Sequence, residues 1–390
     1  MMNPELDKLI QVAGKKVRII LGLMSGTSMD GLDIALCRIT GSGKETSYEL
    51  VQFSSEPYTQ EVKNKLLEIT SVSEIATEEL CIWHTYLAHI HSQMIINACL
   101  EWKIAMSEID LIASHGHTLY HAPVRKHNQP GKPNTTLQIG DGDHIAHKTG
   151  AITISDFRQK DTARGGEGAP LAAYGDYLLF SHPEKDRVLI NLGGIANFTY
   201  LPANSAEFPP FGTDTGPAST LIDAAMRKWY NGAAYDNGGQ IAKVGNIHQD
   251  VLLALKDHPY FAGKPPKTTG PEMFGLDLVI DALNNTGNSN LPPQDIIATL
   301  TRLTTETLAE AILAVINNTD NTEVYVSGGG TKNLTMLQWL SEDLEGMFVK
   351  TTNELGLDSK AKEAVLFAVL SNEAICGDGS LPALGKISLP

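Results

Sequence analysis

The apolar residues of this chain fall into two alternating rhythms, and the change between them marks the elements. Residues 17–23, Val-Arg-Ile-Ile-Leu-Gly-Leu, form a short and nearly unbroken apolar run. A run of that length suits a strand covered on both faces. It ends at once in Ser25-Gly26-Thr27-Ser28-Met29-Asp30-Gly31. Residues 33–39 and 49–54 read as two further strands, with a hairpin at Gly41-Ser42-Gly43-Lys44 between them. A dinucleotide-binding unit would place a helix directly after the glycine turn, so this order of elements argues against one.

The rhythm then lengthens to helical spacing. Residues 60–70 predict one helix and residues 78–102 a longer one, with Leu80, Trp83, Leu87, Ile90, Met94 and Ile95 on one side. Short buried strands follow at 109–114, ending in His115-Gly116-His117-Thr118, and at 151–155, ending in Asp156-Phe157-Arg158. Gly165-Gly166-Glu167-Gly168-Ala169-Pro170 is expected to open a helix, since Pro is favoured in a first turn.

A second round repeats the first: a strand at 187–191, a turn at Gly193-Gly194 and a returning strand at 196–200. Two strand, glycine-turn, strand units predict an internal duplication, without the short period of a repeat array. Helices are expected at 220–229, 249–256 and 294–315, and a strand at 323–327 that closes on Gly328-Gly329-Gly330. Helices at 333–344 and 360–376 complete the pattern.

Composition narrows the class. At 390 residues the chain exceeds the size, about 250–300 residues, at which single cores stop growing, so two domains are expected. The 45 acidic residues outnumber the 30 basic ones, which argues against a nucleic-acid partner. Cys37, Cys81, Cys99 and Cys376 lie far apart and read as buried free thiols in a reducing compartment. Glu5, Asp7 and Lys8 interrupt any secretory pattern, and no apolar run approaches the ~20 residues of a membrane span. A soluble cytoplasmic protein without a membrane partner is expected. Enzymes of this size often assemble as two-fold dimers, which leaves a homodimer open.

Three glycine turns at strand ends carry the candidate chemistry. Small residues at 25–31 let the backbone approach a polyanion, and Ser25, Thr27 and Ser28 add hydroxyl donors. Asp30 can hold a hydrated Mg²⁺ against phosphate oxygens. Asn191, Gly193 and Gly194 form a second phosphate turn, and flat backbone at Gly328, Gly329 and Gly330 would admit an adenosine ring. Ligands of α/β proteins gather at the carboxyl ends of strands, so three such turns reinforce one another. Asp214, between Gly212-Thr213 and Thr215-Gly216-Pro217, is the acid–base candidate; its alternative is a helix N-cap, a role Thr215 and Ser219 fill equally well. Arg158 either grips a sugar or phosphate or pairs with Asp161. His115, His117 and His121 lack companions at metal-ligand spacing and read as structural.

Taken together, the stretches GLMSGTSMDGLDIAL, ASHGHTLYHAP, TLQIGDGDHIA, TISDFRQKDTARGGEGAPL, LINLGGIANFTYL, DTGPASTLIDA, YDNGGQIA, KTTGPEMF, VSGGGTKNL and KEAVLFAVL resemble the anhydro-N-acetylmuramic acid kinase family, in its order, from Val17 to Leu370. The resemblance implies an α/β, two-lobed actin-like ATPase fold (ribonuclease H-like, duplicated) with ATP and a 1,6-anhydro-sugar in an interlobe cleft. One lobe would comprise residues 1–150 and 360–390, the other residues 151–359. It implies that water opens the anhydro ring and ATP phosphorylates the freed 6-oxygen, giving N-acetylmuramic acid 6-phosphate for cell-wall recycling. Asp214 would be the base. Asp30 and the SGTS turn would face Mg²⁺-ATP, with Asn191, Gly193 and Gly194 opposite and Gly328 to Gly330 near adenosine. Thr118, Arg158 and Glu363 would contact the sugar. The family usually carries Gln at His117, Gly-Asn at Ala218-Ser219, Gln at Glu167 and Arg at Pro271; these departures are expected on the sugar side. They motivate two other readings, a kinase of another anhydro-sugar such as levoglucosan and a nucleotide-dependent binding protein.

Overall fold

The computed structural model describes residues 3–390 except 27–28, 169–170, 204–209, 317, 345–346, 348, 357–359, 378 and 380–382. The chain divides into two compact units, Met1–Leu179 with Lys360–Pro390, and Phe180–Ser359. Residues 151–179 cluster with the first unit, whereas the sequence reading drew its boundary at 150/151.

The first unit is built on a sheet of β1 (Val17–Ser25), β2 (Gly31–Thr40), β3 (Ser47–Pro57), β4 (Leu111–Ala122), β5 (Thr135–Ile139), β6 (Ile152–Ser155) and the last strand of the chain, Lys386–Ser388. β1, β2 and β3 form an antiparallel meander, and on the other side β1 pairs in parallel with β4, which pairs in parallel with β6. β1 is central and buried almost throughout, as its unbroken apolar run requires. Leu21, Leu23, Ile34 and Leu36 face the helix Thr77–Trp102 through Ala88 and Ile95. The opposite face carries the helix Lys362–Cys376: a Cβ at Gly22 would lie 1.9 Å from the Ala364 carbonyl oxygen. Arg18 Nε donates to Asn372 Oδ1 at 2.6 Å, so this helix runs antiparallel to β1 and its first turn lies beyond Gly22, towards the β1–β2 turn.

The second unit repeats the plan. β7 (Asp186–Leu192), β8 (Ile195–Leu201) and β9 (Phe211–Pro217) form the meander, and β7 pairs in parallel with β10 (Thr322–Ser327), which pairs in parallel with β11 (Val349–Thr351). The second sheet runs 3-2-1-4-5 by position, and the first repeats that order in its core β3-β2-β1-β4-β6, with β5 added as an antiparallel partner of β4 and Lys386–Ser388 beyond β6. The predicted duplication is therefore visible in the five core strands of each unit. Helices Ser219–Trp229 and Pro293–Leu313 bury Leu221, Ile222, Ile297 and Leu300 against Val188, Ile190 and Phe198.

Several expectations change. The strand predicted at 109–114 continues through His115-Gly116-His117-Thr118 as β4, because β5 supplies a partner for that half. Residues 211–217 are a strand, so Asp214 caps no helix; the helix Ser219–Trp229 begins after Ala218 without a side-chain cap. Helices Pro4–Ala13, Gly142–Thr149 and Phe157–Ala163 were not anticipated. All four thiols are free, but Cys81 is exposed and Cys376 half-buried. Among the described residues no helix is long and apolar enough to cross a membrane.

Candidate active site

In the first unit the β1–β2 turn is closed by Met29 N–H donating to the Gly26 carbonyl at 3.1 Å. Met29 takes φ +55°, a conformation rare for a side chain of its size, and it is held there by burial. Thr27 and Ser28 lie outside the described residues. Asp30 projects into solvent, its side chain 72% exposed, and pairs with Lys63 at 2.7 Å. Ser25 does the opposite: it is 1% exposed, and its Oγ accepts from the Tyr58 hydroxyl at 2.8 Å.

The charged cluster of the first unit centres on Arg158. Its Nε donates to His115 Nε2 at 2.7 Å and its Nη1 to the Gly168 carbonyl at 2.9 Å, while Asp161 Oδ2 accepts the Gly168 N–H at 2.8 Å. Arg158 and Asp161 thus brace one glycine from two sides. His115 Nδ1 lies 2.8 Å from the Gly116 carbonyl. With a carbonyl at one nitrogen and a guanidinium at the other, the ring must be the neutral Nδ1–H form. Burial, with the Arg158 charge adding to it, pulls its pKa down to about 3.

Glu363 stands in the first turn of the helix Lys362–Cys376. Desolvation raises its pKa, Arg158 and Lys362 oppose that, and Asp33 adds to it. Thr118 Oγ1 accepts from Gln138 Nε2 at 3.2 Å on β4 and β5. Asp33 was missed by sequence reasoning. It lies opposite Met24 on β2, one pleat past the Gly22–Ala35 pair, and so on the sheet face that the helix covers. A carboxylate in the apolar first half of β2, directly after a phosphate-type turn, was the available signal. His117, expected on the sugar side, instead lies inside the unit: Nε2 is 2.9 Å from Thr70 Oγ1 and Nδ1 3.4 Å from Ser25 Oγ.

In the second unit the glycine turns converge. A Cβ at Gly328 would lie 2.6 Å from the Leu192 carbonyl oxygen and 2.7 Å from Asn191 Oδ1, so the turn after β10 packs flat on the β7–β8 turn. Gly328 takes φ +91°, where a side chain would be strained as well as obstructed. The helix Ser219–Trp229 docks its N-terminus on the same turn: Ser219 N–H reaches the Gly193 carbonyl at 3.1 Å, and Thr220 Oγ1 the Gly194 carbonyl at 2.7 Å.

Asp214 belongs to this group. Across the ladder Asn191 pairs with Asn197 and Asn197 with Asp214, so the three side chains share one face of the sheet. Asp214 Oδ2 accepts the Thr269 N–H at 2.8 Å, its own N–H donates to the Lys267 carbonyl at 2.8 Å, and its carbonyl accepts from the Tyr260 hydroxyl at 2.8 Å. The 260–269 segment therefore fixes both backbone and carboxylate. Sequence reasoning missed this brace, because nothing local in residues 260–269 marks it as the neighbour of β9.

A duplicated 3-2-1-4-5 sheet with glycine turns at the strand ends defines the ribonuclease H-like, actin-like class of α/β proteins. Within that class the comparisons are specific. The family model described as anhydro-N-acetylmuramic acid kinase matches residues 18–384, and the chain belongs to that family. An anhydro-N-acetylmuramic acid kinase of Pseudoalteromonas translucida is 45% identical over 97% of this chain and 94% of its own length. One from Caldanaerobacter subterraneus subsp. tengcongensis is 35% identical over 98% of this chain and the whole of its own. A solved activator of 2-hydroxyisocaproyl-CoA dehydratase from Clostridium difficile, with bound ADPNP, is similar over 92% of this chain and 95% of its own at 12% identity. Its TM-score is 0.40.

Proposed function

We propose that the protein is a cytoplasmic, ATP-dependent kinase that opens 1,6-anhydro-N-acetylmuramic acid with water and phosphorylates O6, giving N-acetylmuramic acid 6-phosphate and ADP. The observation that carries the reading is Asp214: a carboxylate oriented by the Thr269 N–H, on one cross-strand row with Asn191 of a glycine turn.

In this reaction Asp214 takes a proton from water as the water oxygen bonds to the anomeric carbon. The bond from that carbon to O6 breaks, and its electron pair stays on O6. O6 then bonds to the γ-phosphorus as the bond to the β–γ bridging oxygen breaks, releasing ADP. Ring opening thus supplies the nucleophile for phosphoryl transfer. A carboxylate is a sufficient base because the water grows acidic as it bonds to an oxocarbenium-like carbon. Asn191, Gly193 and Gly194 would receive phosphate oxygens, and Gly328 to Gly330 the adenosine. The β1–β2 turn would approach the phosphates with its backbone.

Mg²⁺ fits the residues present. A cation held mainly by phosphates and water needs only one or two protein carboxylates, and Asp30 offers an exposed one. Bound there, the ion would offset charge on the transferring phosphoryl group. The exposed Lys63 pair on Asp30 is worth little and can be exchanged. Arg158, rigidly held by His115 and Gly168, would meet the carboxylate of the muramic acid, with Glu363 and Thr118 bonding sugar hydroxyls.

Family membership favours the muramic sugar over levoglucosan, and the braced Asp214 favours an enzyme over a binding protein. Measuring kcat/KM on both sugars tests the choice. The expected result is a preference for the muramic compound of at least a hundredfold, the order set by one well-formed charged contact of about 3 kcal/mol. Equal efficiencies would favour a general anhydro-sugar kinase.

A further inference from the structure

The hydroxyl of Ser25 does not point where a phosphate donor should. Ser25 is buried at the middle of a chain of hydrogen bonds within the protein: His91 Nε2 to Tyr58 Oη at 2.7 Å, Tyr58 Oη to Ser25 Oγ at 2.8 Å, Ser25 Oγ to His117 Nδ1 at 3.4 Å, and His117 Nε2 to Thr70 Oγ1 at 2.9 Å. His91 and His117 are fully buried and Tyr58 is 7% exposed. His91 Nδ1 has no partner. A buried nitrogen without a partner is tolerated better as an acceptor than as an orphaned N–H, so the proton of His91 sits on Nε2. That choice sets the rest: His91 donates to Tyr58, and Tyr58 donates to Ser25.

Tyr58 also holds the far end of the same turn. Its backbone N–H donates to the Asp30 carbonyl at 3.1 Å, and its ring packs in one cluster with Met29. One residue thus pins Ser25 and Asp30, five positions apart, with the left-handed Met29 between them buried against it.

We propose that Ser25 is the anchor of the β1–β2 turn and not one of its phosphate donors, and that Tyr58, backed by His91, is the positioning residue that holds the turn in shape. This rests on the reading of the turn as a phosphate site; the buried chain then holds the two described ends of the turn, Ser25 and Asp30, in place. His117 belongs to the anchor, which gives that position a part in nucleotide binding rather than in sugar choice.

The test compares Tyr58→Phe, Ser25→Ala, the double variant and Gly26→Asp. It reads KM for ATP and for the anhydro-sugar, ATP binding by titration without sugar, and thermal stability. Losing the shared Tyr58–Ser25 hydrogen bond should weaken ATP binding about tenfold in either single variant, with KM for the sugar within about twofold of the parent. Because both substitutions break the Tyr58–Ser25 bond, while Tyr58→Phe also frees His91 and Ser25→Ala also frees His117, the double variant should be weakened by less than the product of the two single effects. Parental ATP binding in Tyr58→Phe, effects of the two singles that multiply, or equal rises in both KM values would overturn the inference. Gly26→Asp separates its failure from that of the underlying reading, since a carboxylate in the turn must repel a phosphate. If Gly26→Asp binds ATP as the parent does, the phosphate reading falls and the inference with it. If it loses ATP while Tyr58→Phe does not, only the positioning role is wrong.

Discussion

Asp214 is held at three points by a segment some fifty residues away in sequence, and each point has a separate consequence. Thr269 N–H orients the carboxylate, Lys267 satisfies the backbone N–H, and the Tyr260 hydroxyl anchors the carbonyl. Burial raises the Tyr260 pKa, with the Asp214 charge adding to the shift, so Tyr260 stays a donor throughout the working pH range. Tyr260→Phe removes that bond and leaves the ring against Phe261 and Phe274. We expect kcat to fall about tenfold, the equivalent of one net hydrogen bond, with nucleotide affinity unchanged; steady-state kinetics beside an ATP titration check this. The identity of Asp214 was legible in the sequence, because an acid framed by Gly, Thr and Pro is unusual. Its setting was not. Phe-Gly-Thr-Asp-Thr-Gly-Pro has poor strand propensity and reads as a turn, and only the ladder offered by β8 makes it β9.

At the scale of elements, the first unit depends on a glycine inside a strand. Gly22 lets the helix Lys362–Cys376 cross β1 in direct backbone contact, which sets Glu363 at the strand ends. Gly22→Ala would drive a methyl group into the Ala364 carbonyl, which cannot move without displacing the helix. Overpacking of that kind costs about 3 kcal/mol or more. Urea unfolding should show the loss, and KM for the sugar should rise with it; an unchanged midpoint would contradict the packing described. β1 and the helices Thr77–Trp102 and Lys362–Cys376 were readable because their apolar residues keep one rhythm over many positions. The outer half of β4 was not, since His115-Gly116-His117-Thr118 is polar and contains a glycine at φ +72°. Those polar residues are buried because they bond to one another, to Ser25, Thr70 and Arg158, and no local pattern announces that.

For the whole molecule, the duplication was legible from two strand, glycine-turn, strand rounds, while the outer strands β5 and β11 were too short or too polar to stand out. The buried histidines set a global property. Burial pulls His91 and His115 down to about 3 and His117 to about 4, from an ordinary 6.5. The lowered folded-state values mean that stability is complete above about pH 6.5 and is lost as pH falls towards 3–4. Each histidine should cost about 1.4 kcal/mol per pH unit below 6.5, so the melting temperature should drop steeply between pH 7 and pH 5. His91→Gln should flatten that slope; a parental melting curve independent of pH over this range would contradict neutral burial. The central claim, however, is the reaction assigned to Asp214. Its most direct measurement is the product formed from ATP, Mg²⁺ and 1,6-anhydro-N-acetylmuramic acid by the parent and by Asp214→Asn, read by mass spectrometry beside an ATP titration. The account predicts N-acetylmuramic acid 6-phosphate from the parent and a rate at least about a thousandfold lower in the variant, with ATP affinity retained. Comparable turnover by Asp214→Asn, or no phosphosugar from a parent that binds ATP, would contradict it.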